Sequence, residues 1–225
     1  MEQTFSIQEL INKKINVGRE KKEITSWYSS GLGSCMRGRY LERLGNEPDK
    51  VFDDRILRIF SVGKLFEDWI VDLVKSIEGI QVETQGRVED KKLGVSGYWD
   101  MKVTKDGKSL LYEIKSKHSK AFWYMDKQNE GANEQHKLQL WPYLWLTGIE
   151  EGRILYASKD DLAILEYPVY RNDEKLRKAV FDELALLNKA WQEKNLEILP
   201  LPDSTAWQAK YCRWHKQCVK SNENN

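Results

Sequence analysis

One strand candidate does most to limit what this chain can become. In Leu111-Tyr112-Glu113-Ile114-Lys115-Ser116, side chains alternate across the strand, so Tyr112 and Ile114 make one face apolar while Glu113 and Lys115 share the other. Such a strand reads as central, and charges on a central strand are costly unless they serve a site. Taken alone, the pair also reads as a solvated ion pair, common in a chain that is 32% charged. The turn signal Lys105-Asp106-Gly107-Lys108 joins strands at 95–104 and 110–116 into a hairpin. Across that hairpin, Gly97-Tyr98-Trp99-Asp100 supplies a second carboxylate, after a glycine that permits close backbone approach.

Around this hairpin the chain alternates helix and strand patterns. Ser6-Ile7-Gln8-Glu9 has the form of a capping box and opens a helix at 6–17. An apolar stripe over 56–74, with Gly63 as a weak point, predicts a second long helix. Strands are expected at 80–88, 153–157 and 162–170, the last two joined by Lys159-Asp160-Asp161. A Leu- and Trp-rich helix is expected at 133–147, where Pro142 removes a backbone donor and costs about 3 kcal/mol or bends the helix. Asn172 is expected to cap a long helix that Pro200 and Pro202 end. The expected fold class is therefore α/β, with a central mixed β-sheet flanked by helices.

Composition supports one packed unit. The chain has 225 residues, 40% hydrophobic, with 36 basic against 35 acidic side chains, a formal net charge of +1. That balance excludes a polybasic arm or an acidic tail. No stretch approaches the roughly 18 to 20 apolar residues needed to span a bilayer. The N-terminus lacks the basic start and apolar core of a secretion signal, so a cytoplasmic, intracellular protein without a membrane partner is expected.

Two carboxylates and a backbone carbonyl are hard oxygen ligands suited to magnesium or manganese. A nearby lysine can orient a water or stabilise charge on a phosphate. Four segments then occur in order: Gly63-Lys64-Leu65-Phe66-Glu67, Gly97-Tyr98-Trp99-Asp100, Glu113-Ile114-Lys115 and Gln139-Leu140-Trp141-Pro142-Tyr143. Together they resemble the PD-(D/E)XK nuclease superfamily, in particular its RecB-like exonucleases with CRISPR-associated and helicase-coupled branches.

The resemblance implies a restriction-endonuclease-like core that hydrolyses DNA with Mg2+ or Mn2+. Asp100, Glu113, the Ile114 carbonyl and Glu67 would hold the metal, with Glu67 standing where the branch often has histidine. Lys115 would be the catalytic lysine, and Gln139 and Tyr143, four apart on one helix face, would hold it and the substrate strand. It implies one nuclease domain over 1–225: an N-terminal helical region at 1–55, a catalytic core at 56–170, and a C-terminal helix and tail at 171–225. An exonuclease on single-stranded DNA or DNA ends fits best. A structure-specific endonuclease, and a DNA-binding or assembly module without turnover, are the alternatives, and a helicase, CRISPR or recombination protein is the expected kind of partner.

Many such nucleases also carry a four-iron four-sulfur cluster. Cys35, Cys212 and Cys218 stand where three of its ligands would be, while Ala209 occupies the fourth position. Three readings stay open: an iron-sulfur cluster on three thiolates with an outside ligand or His215, another metal, or a relict site that only packs. For DNA contact, Lys117 and Lys120 continue from the catalytic strand, and Trp123 and Tyr124 can stack on unpaired bases. Arg37 and Arg39, beside Arg43, form a second basic cluster, and Lys13, Lys14, Arg19, Lys21 and Lys22 a third. His136 is expected at the surface.

Overall fold

The computed structural model describes residues 6–16, 23–127, 131–201 and 212–218. A six-stranded mixed sheet, β1 (Trp27–Tyr28), β2 (Gln81–Asp90), β3 (Val95–Lys105), β4 (Lys108–Lys117), β5 (Glu151–Ser158) and β6 (Ile164–Tyr170), forms its centre. Its helices are α1 (Ile7–Ile15), α2 (Met36–Arg43), α3 (Asp54–Lys75), α4 (Ser119–Lys127), α5 (Glu134–Thr147) and α6 (Glu174–Glu193). The predicted hairpin is present, with Lys105 paired to Lys108 and positive φ at both Asp106 and Gly107. That backbone is the tight turn whose twist matches the flanking strands. β4 then pairs in parallel with β5, and β5 antiparallel with β6.

Each face of the sheet has its own core. On one, Ile70 and Val71 of α3 pack with Met101, Ile114, Leu155 and Ala157. On the other, α5 and α6 cover Val95, Trp99, Leu111, Ile154 and Tyr156. Residues 138–144 of α5 are all buried. Pro142 removes one intrahelical bond, yet the helix runs on to a left-handed Gly148 cap. Burial of several large side chains, at roughly 1.5 to 3 kcal/mol each, outweighs the loss of about 3 kcal/mol at the proline.

Other expectations need adjusting. α6 is capped by Asp173, whose carboxylate accepts from the Lys175 and Leu176 amides, and Asn172 precedes that cap. α2 and α4 carry no clear apolar period in sequence and form against tertiary neighbours. Arg19, Lys21, Lys22, Pro202 and Ala209 lie outside the described residues. No described helix is long and apolar enough to cross a membrane.

The ladder between β2 and β3 has one irregular place. Pairing runs from Gln81 opposite Thr104 to Asp90 opposite Val95 but skips Gln85 opposite Asp100. Val82, Met101 and Val103 pack on the α3 side, whereas Val88, Val95 and Trp99 pack on the α5 side. A regular strand keeps residues two apart on one side. Both strands therefore turn over at Gln85 and Asp100.

Candidate active site

The site lies where β3 and β4 part. One edge of β3 is taken along its length by β2, while the other carries β4 at residues 101–105 and β1 at Val95 and Ser96. Asp100 stands at the opening between them. Its Oδ2 accepts from the Ile114 N–H at 2.8 Å, in place of a strand carbonyl. Continued past Met101 opposite Tyr112, the β3 and β4 register lines Asp100 up with Glu113, and the turnover of β3 brings Trp99 to the α5 side.

Glu113 is 1% exposed. Its Oε1 accepts from Lys115 Nζ at 2.6 Å and from Gln139 Nε2 at 2.7 Å. Gln139 Oε1 in turn accepts from the same lysine at 3.2 Å. Gln139 and Tyr143 thus project from α5 toward β4, the face relation their spacing predicts. The Tyr143 hydroxyl shares hydrogen bonds with the Gln139 and Ser29 side chains. Tyr143 also lies against the bare Cα of Gly97, where a Cβ would stand 2.6 Å from its ring. Glu67 comes from α3, accepting from Lys64 at 2.9 Å and Gln85 at 2.7 Å through one oxygen.

These groups form one electrostatic unit. Burial, then the Glu113 charge, hold the Asp100 carboxyl well above the usual carboxylate range, against the opposing pull of the Ile114 amide. Glu113 is also raised by burial, with Lys115 pulling the other way. For Lys115, burial alone would lower the ammonium pKa, but Glu113, Asp100 and Glu67 outweigh it and hold it high. The lysine is therefore a cation. Two buried carboxylates of raised pKa face a shortage of positive charge, and Glu113 Oε2 is buried with no hydrogen-bond partner.

That orphaned oxygen and the mutual repulsion of the carboxylates fit a divalent cation, which would satisfy both. Among the described residues, no three His, Cys, Asp or Glu side chains are grouped as a ready shell. A metal here would be held by Asp100, Glu113, the Ile114 carbonyl and water, with Glu67 contributing through its charge.

Beside the site opens a cleft of about 920 Å³ lined by Lys117, His118, Lys120, Tyr124 and Lys137, among others. Tyr124 is 60% exposed. Trp123 does not line that cleft; its indole N–H donates to Asp161 at 2.7 Å. Lys137 was not singled out from sequence, because it reaches the basic end of β4 only through the packing of α5. His136 is not a plain surface residue: its Nδ1 meets the Tyr156 hydroxyl at 2.7 Å. Burial, with Lys115 and Lys117 nearby, lowers its pKa to about 3, so the ring is neutral.

Arg37 and Arg39 are not placed to meet DNA. Arg37 is 2% exposed and bonds the Leu199 carbonyl and the Glu197 carboxylate, while Arg39 is 9% exposed and pairs with buried Glu183. Their charges hold the N-terminal region to α6 and the chain after it, which spacing alone could not reveal.

The three cysteines do converge. The Cys35 sulfur is hydrogen-bonded by the Cys212 and Cys218 thiols, which holds Cys35 well below the usual thiol range. Cys212 and Cys218 are raised by the same contacts. The three thiols would supply three ligands of the expected cluster, one short of a four-thiolate shell. The tail is also held by hydrogen bonds: Asp49 N–H donates to the Arg213 carbonyl at 2.7 Å, and its carboxylate accepts from Lys216 N–H at 2.7 Å.

No protein-family model matches the chain, and no curated protein matches it. Solved structures do. The crystal structure of SSO0001 is similar at 21% identity over 92% of this chain and 94% of that one, with a TM-score of 0.55. An alkaline exonuclease from Laribacter hongkongensis, LHK-Exo, is similar at 15% identity over 76% of this chain and 92% of that one, with a TM-score of 0.56. The same exonuclease in complex with dAMP gives 16% identity and a TM-score of 0.56. At these identities the likeness is one of fold: a mixed sheet flanked by helices, arranged as in those exonuclease structures.

Proposed function

We propose that this chain is a divalent-metal-dependent deoxyribonuclease, an exonuclease acting on single-stranded DNA or DNA ends. The observation that carries the reading is the arrangement at the strand opening. Asp100 is bonded to the residue after Glu113 and feels its charge, Glu113 Oε2 lacks a partner, and charged Lys115 is held between Glu113 and Gln139.

A bound magnesium or manganese ion would polarise the phosphate and make a water more acidic. Asp100 and Glu113 would hold it, and the Ile114 carbonyl adds a neutral oxygen. Lys115, anchored from two sides, presents its remaining donor to a phosphate oxygen and offsets the negative charge that builds there. Gln139 fixes the lysine, and Tyr143 fixes Gln139. Lys117, Lys120 and Lys137 neutralise phosphates along the cleft, and exposed Tyr124 offers a face for an unpaired base. A helicase or recombination protein is the kind of partner that would deliver such an end.

The direct test is end-labelled single- and double-stranded DNA incubated with and without Mn2+, alongside closed circular DNA. Metal-dependent shortening from ends is expected. Cleavage of closed circles would make the protein an endonuclease, and binding without cleavage would make it a DNA-binding module.

A second test uses pH. The folded state raises the Asp100 pKa, so it binds that proton more tightly than the unfolded chain, whose Asp titrates near about 3.9. Its stabilising contribution is present at low pH and is lost as pH rises through the raised value. Metal-free protein should therefore melt lower as pH rises through that value, and Mn2+ should restore more stability at the high end. Asp100→Asn, which keeps an oxygen for the Ile114 amide, should flatten this part of the pH dependence and abolish the Mn2+ effect. An unchanged response to Mn2+ in this variant would remove Asp100 from the metal site.

Gly97→Ala tests the positioning chain. Its methyl group must displace Tyr143 and with it Gln139. Misplacement by about 1 Å costs up to roughly 100-fold in rate. A drop of that order in turnover, with substrate KM little changed, is expected; wild-type turnover would show that Tyr143 does not position the lysine.

A further inference from the structure

Gln85 is a residue of this site that no sequence motif marks. Four described non-glycine residues have positive φ, and Asp106, Leu162 and Lys194 lie in turns or at a helix end. Gln85, at φ 55°, lies inside a ten-residue strand. Residues other than glycine, Asn or Asp seldom take this conformation, and when they do so outside turns they cluster at functional sites. It is the position opposite Asp100 that the β2 and β3 ladder skips. The two strands exchange faces there, as the packing of Val82 and Met101 against that of Val88 and Trp99 requires. Next to it, the Trp99 ring lies over Gly86, where a Cβ would come within 1.7 Å. The Gln85 amide then reaches α3 and donates to Glu67 Oε1 at 2.7 Å.

We propose that Gln85 is a positioning residue for the metal site, its left-handed backbone seating the Trp99 ring over Gly86 beside Asp100 and its amide holding Glu67 near both carboxylates. This rests on the metal-site reading above. An ordinary strand residue here would keep Trp99 and Met101 on one face. The Trp99 ring would then lose its seat over Gly86, and with it the packing that fixes the chain next to Asp100. Without the amide, Glu67 is held by Lys64 alone, and its charge is free to swing away from the site.

Two variants separate the two parts of the proposal. Gln85→Gly keeps the left-handed backbone and removes the amide. Gln85→Thr opposes that backbone, because a branched Cβ disfavours positive φ. Mn2+ is titrated against the purified proteins and the melting temperature recorded, with cleavage of end-labelled DNA as a second measurement. For Gln85→Gly, the metal-free melting temperature should be unchanged or higher, and the Mn2+ concentration for half-maximal stabilisation should rise roughly tenfold, the effect of losing an outer-shell partner. For Gln85→Thr, Mn2+ stabilisation should be lost, whether or not the protein also melts lower.

A Gln85→Gly protein with wild-type Mn2+ dependence would overturn the amide's role, and a Gln85→Thr protein with it would overturn the backbone's. If wild-type protein gains no stability from Mn2+, the metal-site reading itself fails and this proposal falls with it. A wild-type response that Asp100→Asn loses, but both Gln85 variants keep, refutes this proposal alone.

Discussion

Lys115→Met is expected to lower metal-dependent cleavage of end-labelled single-stranded DNA by roughly 10²- to 10³-fold, the usual effect of removing one preorganised donor from a developing anion. Methionine keeps the unbranched apolar stem but removes the ammonium that Glu113 Oε1 and Gln139 Oε1 both hold. Glu113 then keeps the hydrogen bond from Gln139, and burial drives its carboxyl pKa further up. A weaker hold on metal should follow, so saturating Mn2+ should recover binding but not the rate. Binding of the DNA should change little, since Lys117, Lys120 and Lys137 supply the cleft charge. Full cleavage by this variant would sink the catalytic role of Lys115.

Gly86→Ala should be among the most destabilising single-methyl changes in the chain. The new Cβ would lie 1.7 Å from Trp99 Cζ2 and 2.0 Å from Cε2. Trp99 is itself buried, and its ring belongs to the core beneath α5. The indole cannot lift away without opening that core, and β2 cannot withdraw without breaking its long ladder to β3. Overpacking of this kind costs about 1 to 3 kcal/mol, and here the upper end is expected. Urea unfolding measures it directly. A midpoint equal to wild type would mean that the glycine is not needed for the approach of the ring. The same variant should weaken Mn2+ binding, because Trp99 adjoins Asp100.

Local chemistry explains how far a reading of the chain can go. Asp-Gly at the hairpin tip needs positive φ and supplies it, so the pairing of β3 with β4 is legible from the turn residues alone. Alternation places Glu113 and Lys115 on one face, and four-residue spacing places Gln139 and Tyr143 on another. Those are short-range periodicities. Helix α2 was not legible because it is held by long-range partners: Arg39 by Glu183 and Arg37 by Glu197. A cluster of arginines looks the same in sequence whether it faces phosphate or buried carboxylate.

By itself, then, the sequence determined the hairpin, the mixed α/β order of elements and the shared faces of Glu113 with Lys115 and of Gln139 with Tyr143, because each follows from spacing within one element or one turn; that the second pair joins the first beside Asp100 was implied by the family resemblance. Tertiary structure alone decided the rest. It buried Arg37 and Arg39, joined the thiols of Cys35, Cys212 and Cys218, brought Lys137 and Tyr124 to one cleft, and turned β3 over opposite Gln85. These outcomes depend on which distant side chain satisfies a buried charge or fills a space against a glycine. No local period carries that information.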